Sequence, residues 1–462
     1  MSGKVRIAIS ILIVSFFSYS YAGGGSGTGW TSAKTWNGNS VPTWSHGVTV
    51  AVDGSGNYWP GGNFQAGDLK FATTTLTVTQ MDSYAAKISS ANAALFATKF
   101  NCAGFTDECY VTGSGVDSSG NIWFYVNYKG NMTIGTVNLY SPSSFSIAWA
   151  KLSSAGVVLL VGTSAGGTMV SRKMLIVGSK VYIVGSYTGA PSVGGTTLPT
   201  ASSNEGFVIE LSLSGVATNV AVTSASTGYT IIESLTIISG DIYPVGRYSN
   251  TAKFGSTTLS NGGLGNGFIA KLGSTFVWQA AFTGSFSGGS GAFAEFLDVE
   301  SDALSNIVVT CKFQTGSGGT FNLGSKSVSS LSYDALNIIV NPSLTVICVN
   351  QAFSSGGKGV ALAKDNTGAI WNTGVVQGNA NFSGTLVNSP NRNTYLAKVS
   401  TSCAFSNVAY STSSTGESIP SDMAISSTNK IVIVGDLVGT VSFASNSASS
   451  VRTALSTAVY TI

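Results

Sequence analysis

The sequence has 462 residues and a formal net charge of +3, and only 9% of the residues are Asp, Glu, Lys or Arg. Soluble domains usually contain about 25% charged residues, so these values exclude a surface built from charged helices, and a hydrophobic content of 43% excludes a disordered chain. The length exceeds a usual domain of roughly 100–200 residues, and 57 glycines beside nine prolines favour short strands and turns, in several domains or in one repetitive architecture.

Residues 1–22 have the pattern of a secretory signal peptide. Lys4 and Arg6 precede the apolar residues 7–17, and Ser20 and Ala22 fit the small positions of a cleavage site. A membrane anchor is the alternative, but the apolar run is shorter than the roughly 20 residues that a spanning helix needs, and no later stretch reaches that length. Cleavage would leave a net charge of +1, which disfavours nucleic acid and anionic lipid as partners. We therefore expect a secreted or cell-surface protein.

A unit of about sixty residues recurs along the rest of the chain. The segment AVDGSGNYW (51–59) returns as GVDSSGNIW (115–123) and as KDNTGAIW (364–371), and FGSTTL (254–259) leads to FIAKL (268–272). Asp and Asn suit such turns because their side chains bond local backbone amides, and Gly supplies a positive φ. The pattern predicts strands joined by small turns, and its spacing suits no helix.

Seven such repeats can be aligned on the residue that opens the second strand. These anchors are spaced 59 to 65 residues apart and are Tyr58, Ile122, Val181, Ile242, Ile307, Ile370 and Ile431. A four-stranded sheet cannot bury both faces alone, whereas seven sheets packed radially can. We predict an all-β, seven-bladed β-propeller with four antiparallel strands per blade, as one domain over residues 23–462. The blades are expected at about 45–109, 110–169, 170–229, 230–290, 291–357, 358–414 and 415–462.

The seventh repeat ends at Ile462 after its third strand, and residues 29–38 resemble the missing fourth strand. We therefore expect this N-terminal segment to complete the last blade and to protect its open edge.

The motifs VDSSGNIW, FGSTTL and FIAKL, followed by a W-x-x-x-F-x-G strand, resemble secreted β-propeller repeats of the SBBP type, and the turns are similar to those of NHL repeats. The resemblance covers residues 29–462 and implies a seven-bladed propeller outside the cell. It implies no activity, because fold alone does not specify function.

An odd number of cysteines cannot pair fully within one chain. The five are Cys102, Cys109, Cys311, Cys348 and Cys403. Cys102 and Cys109 bracket a short segment, so we predict a loop disulfide between them, with two reduced thiols as the alternative. The other three are interpreted as isolated core or strand residues. No metal site or cofactor is expected, because there is no CxxC pair and His46, interpreted as a loop residue, is the single histidine.

The alignment predicts one candidate ligand site. Nine residues before each anchor lie Thr49, Gly113, Arg172, Glu233, Asp298, Ala361 and Asp422. On innermost strands these positions would form a ring at the mouth of a central channel, with Glu300 on the same strand face as Asp298. Arg172, Glu233, Asp298 and Asp422 could hold a cation or a polar ligand. A hydrated channel rim without a ligand is the alternative.

Two further sets of residues recur or carry motifs. Lys87, Lys151, Lys271 and Lys398 share one place in four third strands, where Glu210 replaces lysine in the third repeat. We expect these long side chains to point to water, with a basic ring for an anionic partner as the alternative. Asn131 and Asn381 begin N-glycosylation sequons, which would be used only in a eukaryotic secretory pathway.

The scarcity of catalytic residue types favours a non-catalytic function. The leading hypothesis is a structural, adhesive or protein-binding module at the cell surface or in an extracellular assembly, with protein or glycan partners or with itself. A lectin-like binder of carbohydrate or a cation at the channel mouth is the alternative, and a secreted hydrolase or lyase using the channel carboxylates is a third hypothesis.

Overall fold

The computed structural model describes residues 29–35, 44–71, 73–102, 104, 107–225, 228–260, 265–352, 356–413, 415–443 and 446–461. The predicted signal peptide, 1–22, and the end of the predicted closing strand, 36–38, lie outside these residues. Every regular element in the described part of the chain is a β-strand. The fold is therefore all-β, as predicted.

Each of the first six sequence repeats contains four antiparallel main strands, and the seventh contains three. Repeat one has β2 (Trp44–Val52), β3 (Tyr58–Phe71), β4 (Thr74–Ile88) and β5 (Ala94–Cys102). Repeat two has β6 (Glu108–Val116), β7 (Ile122–Ile134), β8 (Val137–Leu152) and β9 (Val158–Thr163). These two groups are joined into one eight-stranded sheet by pairing of β5 with β7.

Repeats three to five form separate four-stranded sheets and carry small additional hairpins between their second and third strands. Repeat three has β10 (Thr168–Val177), β11 (Lys180–Gly189), β14 (Ala201–Ser212) and β15 (Ala217–Val222), with the hairpin β12 (Ser192–Val193) and β13 (Thr196–Thr197). Repeat four has β16 (Thr230–Ile238), β17 (Asp241–Tyr248), β20 (Asn266–Leu272) and β21 (Trp278–Thr283), with β18 (Thr251–Phe254) and β19 (Thr257–Ser260). Repeat five has β23 (Phe293–Ser301), β24 (Ile307–Gln314), β27 (Asp334–Val340) and β28 (Val346–Ala352), with β25 (Thr320–Leu323) and β26 (Lys326–Val328). A short strand, β22 (Ser285–Ser287), precedes repeat five and pairs with β25.

The last sheet joins the two ends of the described chain. Repeat six has β29 (Lys358–Lys364), β30 (Ile370–Phe382), β31 (Thr385–Val399) and β32 (Phe405–Tyr410). Repeat seven has β33 (Glu417–Ile425), β34 (Lys430–Phe443) and β35 (Asn446–Thr461), and β1 (Gly29–Thr35) pairs antiparallel with β35 as the fourth strand. Side chains of β1 also reach repeat one: Lys34 Nζ donates to Asn92 O at 3.1 Å, and Asn92 Nδ2 donates to Ser32 Oγ at 2.8 Å.

The aspartate turns between first and second strands are organised by side-chain hydrogen bonds. Asp117 Oδ1 accepts from the backbone N–H groups of Ser119 (2.9 Å) and Asn121 (3.0 Å), and its Oδ2 accepts from Trp123 Nε1 (3.2 Å). Trp123 is fully buried. Asp53 with Trp59 and Asp365 with Trp371 repeat the arrangement. The structure thus confirms the predicted turns and places the three tryptophans in the core.

The recurrent lysines do not simply extend into water, contrary to the prediction. Side-chain exposure is only 12% for Lys87 and 15% for Lys151. Lys87 Nζ lies 4.8 Å from the Trp59 ring centroid, and Lys151 Nζ lies 5.4 Å from that of Trp123. Because Lys151 Nζ is also 3.0 Å from Asp117 Oδ2, the turn carboxylate and the indole together hold the ammonium group over the ring.

The position of these lysines in the third strand forms an ion pair in repeats three and four, but with opposite signs in the two repeats. This exchange explains why Glu210 replaces lysine. Lys271 Nζ lies 2.9 Å from Asp241 Oδ2 in repeat four. In repeat three, Glu210 Oε2 lies 2.8 Å from Lys180 Nζ. Since Lys180 and Asp241 each directly precede the anchor residue, the ion pair is kept while its two signs are exchanged.

A β-bulge interrupts the pairing of the first and second strands in all seven repeats. In repeat three the register shifts between Ser171 and Lys173, which leaves Arg172 as the extra residue. The extra residues are Val48, Thr112, Arg172, Glu233, Leu297, Val360 and Ser421. Opposite the bulge, a Cβ on Gly185 would lie 2.0 Å from Val170 O, so glycine permits the close approach of these two strands.

Neighbouring repeats are linked at their outer edges. The segment that leaves a fourth strand pairs with the hairpin of the next repeat, as in Ala165 with Ser192 and Ser224 with Lys253. These contacts occupy part of the backbone that an edge strand would otherwise expose. In the described residues the structure contains no helix with the length and hydropathy of a membrane span.

Two disulfides are present. Cys102 is joined to Cys109, as predicted, while Cys311 is a buried free thiol. Cys348 is joined to Cys403, so the interpretation of these two as isolated residues was wrong. This second disulfide connects β28 of repeat five to the turn between β31 and β32 of repeat six. The sequence could not reveal it because the two cysteines lie 55 residues apart and meet only through sheet packing.

Candidate functional site

The seven first strands lie next to one another in the order of the chain. Each contacts the first strand of the following repeat, and β33 contacts β2; the strands are β2, β6, β10, β16, β23, β29 and β33. We call these the central strands. The residue immediately after the bulge on each central strand occupies an equivalent position, and the candidate site is built from these residues.

Two of the four predicted site residues do not occupy the strand position that the alignment gave them. After the bulge, repeat three has Lys173 and repeat four has Ser234, whereas Arg172 and Glu233 are the extra residues of the bulges. The prediction was offset by one residue in these repeats because their first turns are shorter. Four residues separate the paired Ile176 and Val181 in repeat three, whereas five residues separate Val52 and Tyr58 in repeat one. A one-residue slip exchanges the faces of a strand.

Lys173 was missed by sequence reasoning and lies between the two predicted aspartates. Lys173 Nζ donates to Asp422 Oδ1 at 3.0 Å and lies 3.7 Å from Asp298 Oδ2. The two carboxylates have side-chain exposures of only 9% and 5%. The ammonium group of repeat three thus bridges repeats five and seven. The length of its turn was the available signal, because repeat three lacks the Asp-x-x-Gly-Asn motif.

Both aspartates also bond the backbone of the next repeat. Asp298 Oδ2 accepts from Leu362 N at 2.8 Å, and Asp422 Oδ2 accepts from Val50 N at 2.9 Å. Hydroxyl groups make further bonds to both carboxylates, since Ser234 Oγ donates to Asp298 at 2.5 Å and Thr49 Oγ1 donates to Asp422 at 3.0 Å. These bonds satisfy donors near the bulges, where the strand ladder is interrupted.

Asparagines make corresponding bonds between other repeats. Asn63 Oδ1 accepts from Val111 N at 2.9 Å, and Asn127 Oδ1 accepts from Ser171 N at 2.8 Å. A side-chain oxygen of one repeat that accepts from a backbone N–H on the central strand of the next is therefore a recurring structural feature. Asp298 and Asp422 make this bond with a carboxylate instead of an amide.

Glu300 lies on the same strand as Asp298 and faces Lys364. Its Oε1 accepts from Ser301 N at 2.8 Å and lies 3.7 Å from Lys364 Nζ. Lys364 Nζ also donates to Ser301 Oγ at 2.8 Å.

Burial alone would lower the pKa of Lys173, but the carboxylates of Asp298, Asp422 and Glu300 raise it overall, so Lys173 is charged at neutral pH.

Arg172 and Glu233, the two residues that the alignment placed wrongly, belong to a second group of charges where the central strands begin. Arg172 Nε lies 3.6 Å from Glu233 Oε2, and Glu233 Oε1 lies 3.2 Å from Arg247 Nε. Arg247 also makes a close ion pair with Glu295. Arg172 and Glu233 are thus near each other, as predicted, but they do not contact Asp298 or Asp422 in any ion pair of the described residues.

His46 lies within β2, not in a loop as interpreted from the sequence, and it connects the first repeat to the last. His46 Nδ1 lies 2.5 Å from Asp436 Oδ2 of β34. Burial raises the pKa of Asp436, although His46 and the N–H of Gly47 partly oppose this. The contact joins the first strand of repeat one to the second strand of repeat seven, so the histidine acts as a link between repeats.

A group with metal-ligating atoms exists at one place in the described residues. Asp82, Cys102 and Cys109 lie within 4.8 Å of one another. Because both sulfur atoms are joined in a disulfide, they offer no thiolate to a metal. Asp82 instead accepts from Cys102 N at 2.6 Å and lies 3.0 Å from Lys99 Nζ.

Both sequon asparagines are exposed in hairpins between second and third strands. Asn131 lies near the turn from β7 to β8, and Asn381 lies one residue before the end of β30. Their placement fits the surface position expected for acceptors.

No protein-family model matches the chain, and no curated protein is similar to it in sequence. A protein of unknown function from Dyadobacter fermentans DSM 18053 is 7% identical, over 95% of this chain and 100% of that one, with a TM-score of 0.40. A protein of unknown function from Bacteroides caccae is 10% identical, over 63% and 78% of the two chains, with a TM-score of 0.30. A luciferin-regenerating enzyme is 9% identical, over 76% and 90%, with a TM-score of 0.33. The structure is all-β, with four-stranded antiparallel sheets consistent with a propeller, and no family is assigned.

Proposed function

We propose that the chain is a secreted, seven-bladed β-propeller whose last blade is completed by its N-terminal strand. The order of contacts among the central strands, from β2 to β33 and back to β2, supports seven blades around one axis. Pairing of β1 with β35 supports closure. Two disulfides support an oxidising, extracellular compartment.

We propose further that it is a non-catalytic structural, adhesive or protein-binding module. The observation that carries this proposal is the bonding of the central carboxylates. Asp298 and Asp422 are nearly buried, accept hydrogen bonds from backbone amides of adjacent repeats and share the ammonium group of Lys173 as a counter-charge. A general acid, a nucleophile or a cation ligand needs an oxygen that can reach a substrate or an ion, and these oxygens are used within the fold.

Attachment of the purified protein to extracellular material tests this proposal. We expect it to bind a defined extracellular protein or to self-associate, as measured by surface plasmon resonance on immobilised matrix proteins and by light scattering at increasing concentration. A protein that stays monomeric and binds none of them would contradict the proposal. Turnover of a glycoside, ester or lactone that is lost in the Asp298→Asn variant would favour the hydrolase hypothesis instead.

A lectin-like function has a specific observation in its favour, at a different place from the channel mouth. A cavity of about 370 Å³ between repeats six and seven is lined by amides and hydroxyls, among them Asn388, Asn393, Thr412 and Thr440. Neutral hydroxyl and amide groups suit hydrogen bonding to sugar hydroxyls. A glycan array tests this candidate. Binding that is lost in Asn388→Leu, but kept in Asn138→Leu in the corresponding hairpin of repeat two, would support it.

A further inference from the structure

Three cations lie near one another, since the charges of Lys312 and Arg392 act on the ammonium group of Lys358. Lys358 is the first residue of β29, Lys312 lies on β24 and Arg392 lies on β31. We call these three residues the cationic patch. Arg392 is paired with Glu417, with its Nη2 at 2.6 Å from Glu417 Oε2, so the two lysines are the members that can meet a ligand.

Lys358 is partly buried, and in the described part of the chain its ammonium group has no hydrogen bond or ion pair. The nearby carboxylates are engaged elsewhere, because Glu295 pairs with Arg247 and Asp436 pairs with His46. Burial lowers the pKa of Lys358, and the charges of Lys312 and Arg392 add to this effect, against the opposing influence of Glu295 and Asp436. Desolvating an ammonium group without a partner is unfavourable, so a bound anion would stabilise it.

An apolar surface adjoins the cationic patch. Lys312 Nζ lies 4.0 Å from the ring centroid of Tyr333 and 5.1 Å from that of Phe293. Tyr333 is 44% exposed and Leu331 is 73% exposed. Gln314 Nε2 donates to Leu331 O at 3.0 Å, which holds this segment against the end of β24. Cations and large apolar side chains are therefore presented side by side.

We propose that this surface binds an acidic peptide segment of an extracellular protein, with a carboxylate on Lys358 and a neighbouring apolar side chain against Tyr333 and Leu331. The proposal deepens the protein-binding function above and rests on it for the partner. A peptide is favoured over a glycan because the exposed groups beside the lysines are a leucine and an aromatic ring, which match an apolar side chain better than sugar hydroxyls.

Two short peptides test the proposal with the full protein. The first is acetyl-Gly-Glu-Phe-Gly-Gly-amide, and the second has Gln in place of Glu. We expect the Glu peptide to shift the ¹³Cε resonance of Lys358 in NMR spectra and to bind about tenfold more weakly to Lys358→Met. Lys326→Met is the matched control, because Lys326 is exposed on β26 and its replacement removes the same charge.

The results separate the two proposals. Equal binding of the Glu and Gln peptides, or unchanged binding to Lys358→Met, would overturn the inference. If Lys358→Met does not fold, as judged by its thermal transition, Lys312→Met replaces it as the test variant. We expect Lys312→Met to weaken binding of the Glu peptide in the same way, and unchanged binding would overturn the inference. If the wild-type protein and Lys358→Met attach to matrix proteins equally well, the proposed function stands without this site. If the wild-type protein discriminates between the peptides but attaches to no protein, the site stands without the function.

Discussion

Single ionised side chains connect repeats that are far apart in the sequence. Lys173 and Asp422 are separated by 249 positions, yet their charged atoms lie 3.0 Å apart. Asp298 joins the same group from repeat five. A nearly buried carboxylate is tolerated only when an opposite charge and hydrogen-bond donors replace its hydration. The central strands are thus held together by charges as well as by apolar packing.

Replacing Lys173 by Met should lower the free energy of unfolding by about 2–4 kcal/mol, because Asp298 and Asp422 lose their cation. The measurement is urea unfolding at pH 7, with Lys326→Met as a control that should change stability by about 0.5 kcal/mol or less. Adding Asp298→Asn to Lys173→Met should restore part of the loss, since one uncompensated charge is removed. Equal stability of Lys173→Met and the wild type would refute the role assigned to this lysine.

Replacing Asp117 by Asn should lower stability by about 1–2 kcal/mol at pH 7. Burial alone would raise the pKa of Asp117, but bonds from Lys151, Asn121 and Trp123 lower it overall. A carboxyl whose pKa is lower in the folded state stabilises the fold above about pH 4, and this contribution is lost as the pH falls through the folded pKa. Thermal unfolding from pH 7 to pH 2 should therefore show the two proteins converging in acid. A constant difference would show that the charge of Asp117 is not involved.

At the scale of strands and turns, the outer edges of the sheets are secured by connections between repeats. Hairpins pair with the segment leaving the previous repeat, and Cys348–Cys403 adds a covalent connection between repeats five and six. Cys102–Cys109, in contrast, closes a short segment between repeats one and two. The two disulfides therefore constrain the unfolded chain to different extents.

Removing the Cys348–Cys403 bond with a Cys348→Ser/Cys403→Ser variant should cost about 4 kcal/mol, against about 2.5 kcal/mol for Cys102→Ser/Cys109→Ser. The difference follows from the sequence separations of 55 and seven residues, because a longer closed loop removes more entropy from the unfolded chain. Urea unfolding of both double variants under oxidising conditions measures the difference. An equal loss, or a larger loss for the short loop, would contradict this order.

At the scale of the whole molecule, β1 binds both ends of the repeat array. Its backbone pairs with β35 of repeat seven, while Ser32 and Lys34 bond Asn92 of repeat one. A strand held by both the first and the last repeat resists separation of the two. It also covers an edge of β35 that could otherwise pair with another chain.

Deleting residues 29–35 should lower the melting temperature by at least about 5 °C and promote association through the exposed edge of β35. The control is a chain that begins at residue 29, which keeps the pairing. Calorimetry and light scattering measure the two effects. Unchanged melting and a monomeric deletion variant would show that β1 does not secure the array.

Local features of this protein could be predicted from the sequence. The Asp-x-x-Gly-Asn turns, the buried Trp59, Trp123 and Trp371 and the Cys102–Cys109 bond involve residues within a few positions of each other. The repeat itself indicated four strands per unit, because turn residues recur between apolar segments. Such features depend on backbone conformation and short loops, which neighbouring residues determine.

Only the tertiary structure decided which side chains meet between repeats. Because the first turn of repeat three is shorter by one residue, Lys173 occupies the position expected for Arg172. No local pattern showed that Asp298 and Asp422 would both lie beside the ammonium group of Lys173. Cys348 and Cys403 likewise meet only through the packing of two sheets. Successive residues of a strand point to opposite faces, so a small difference in a turn changes which charged side chains meet on the central strands.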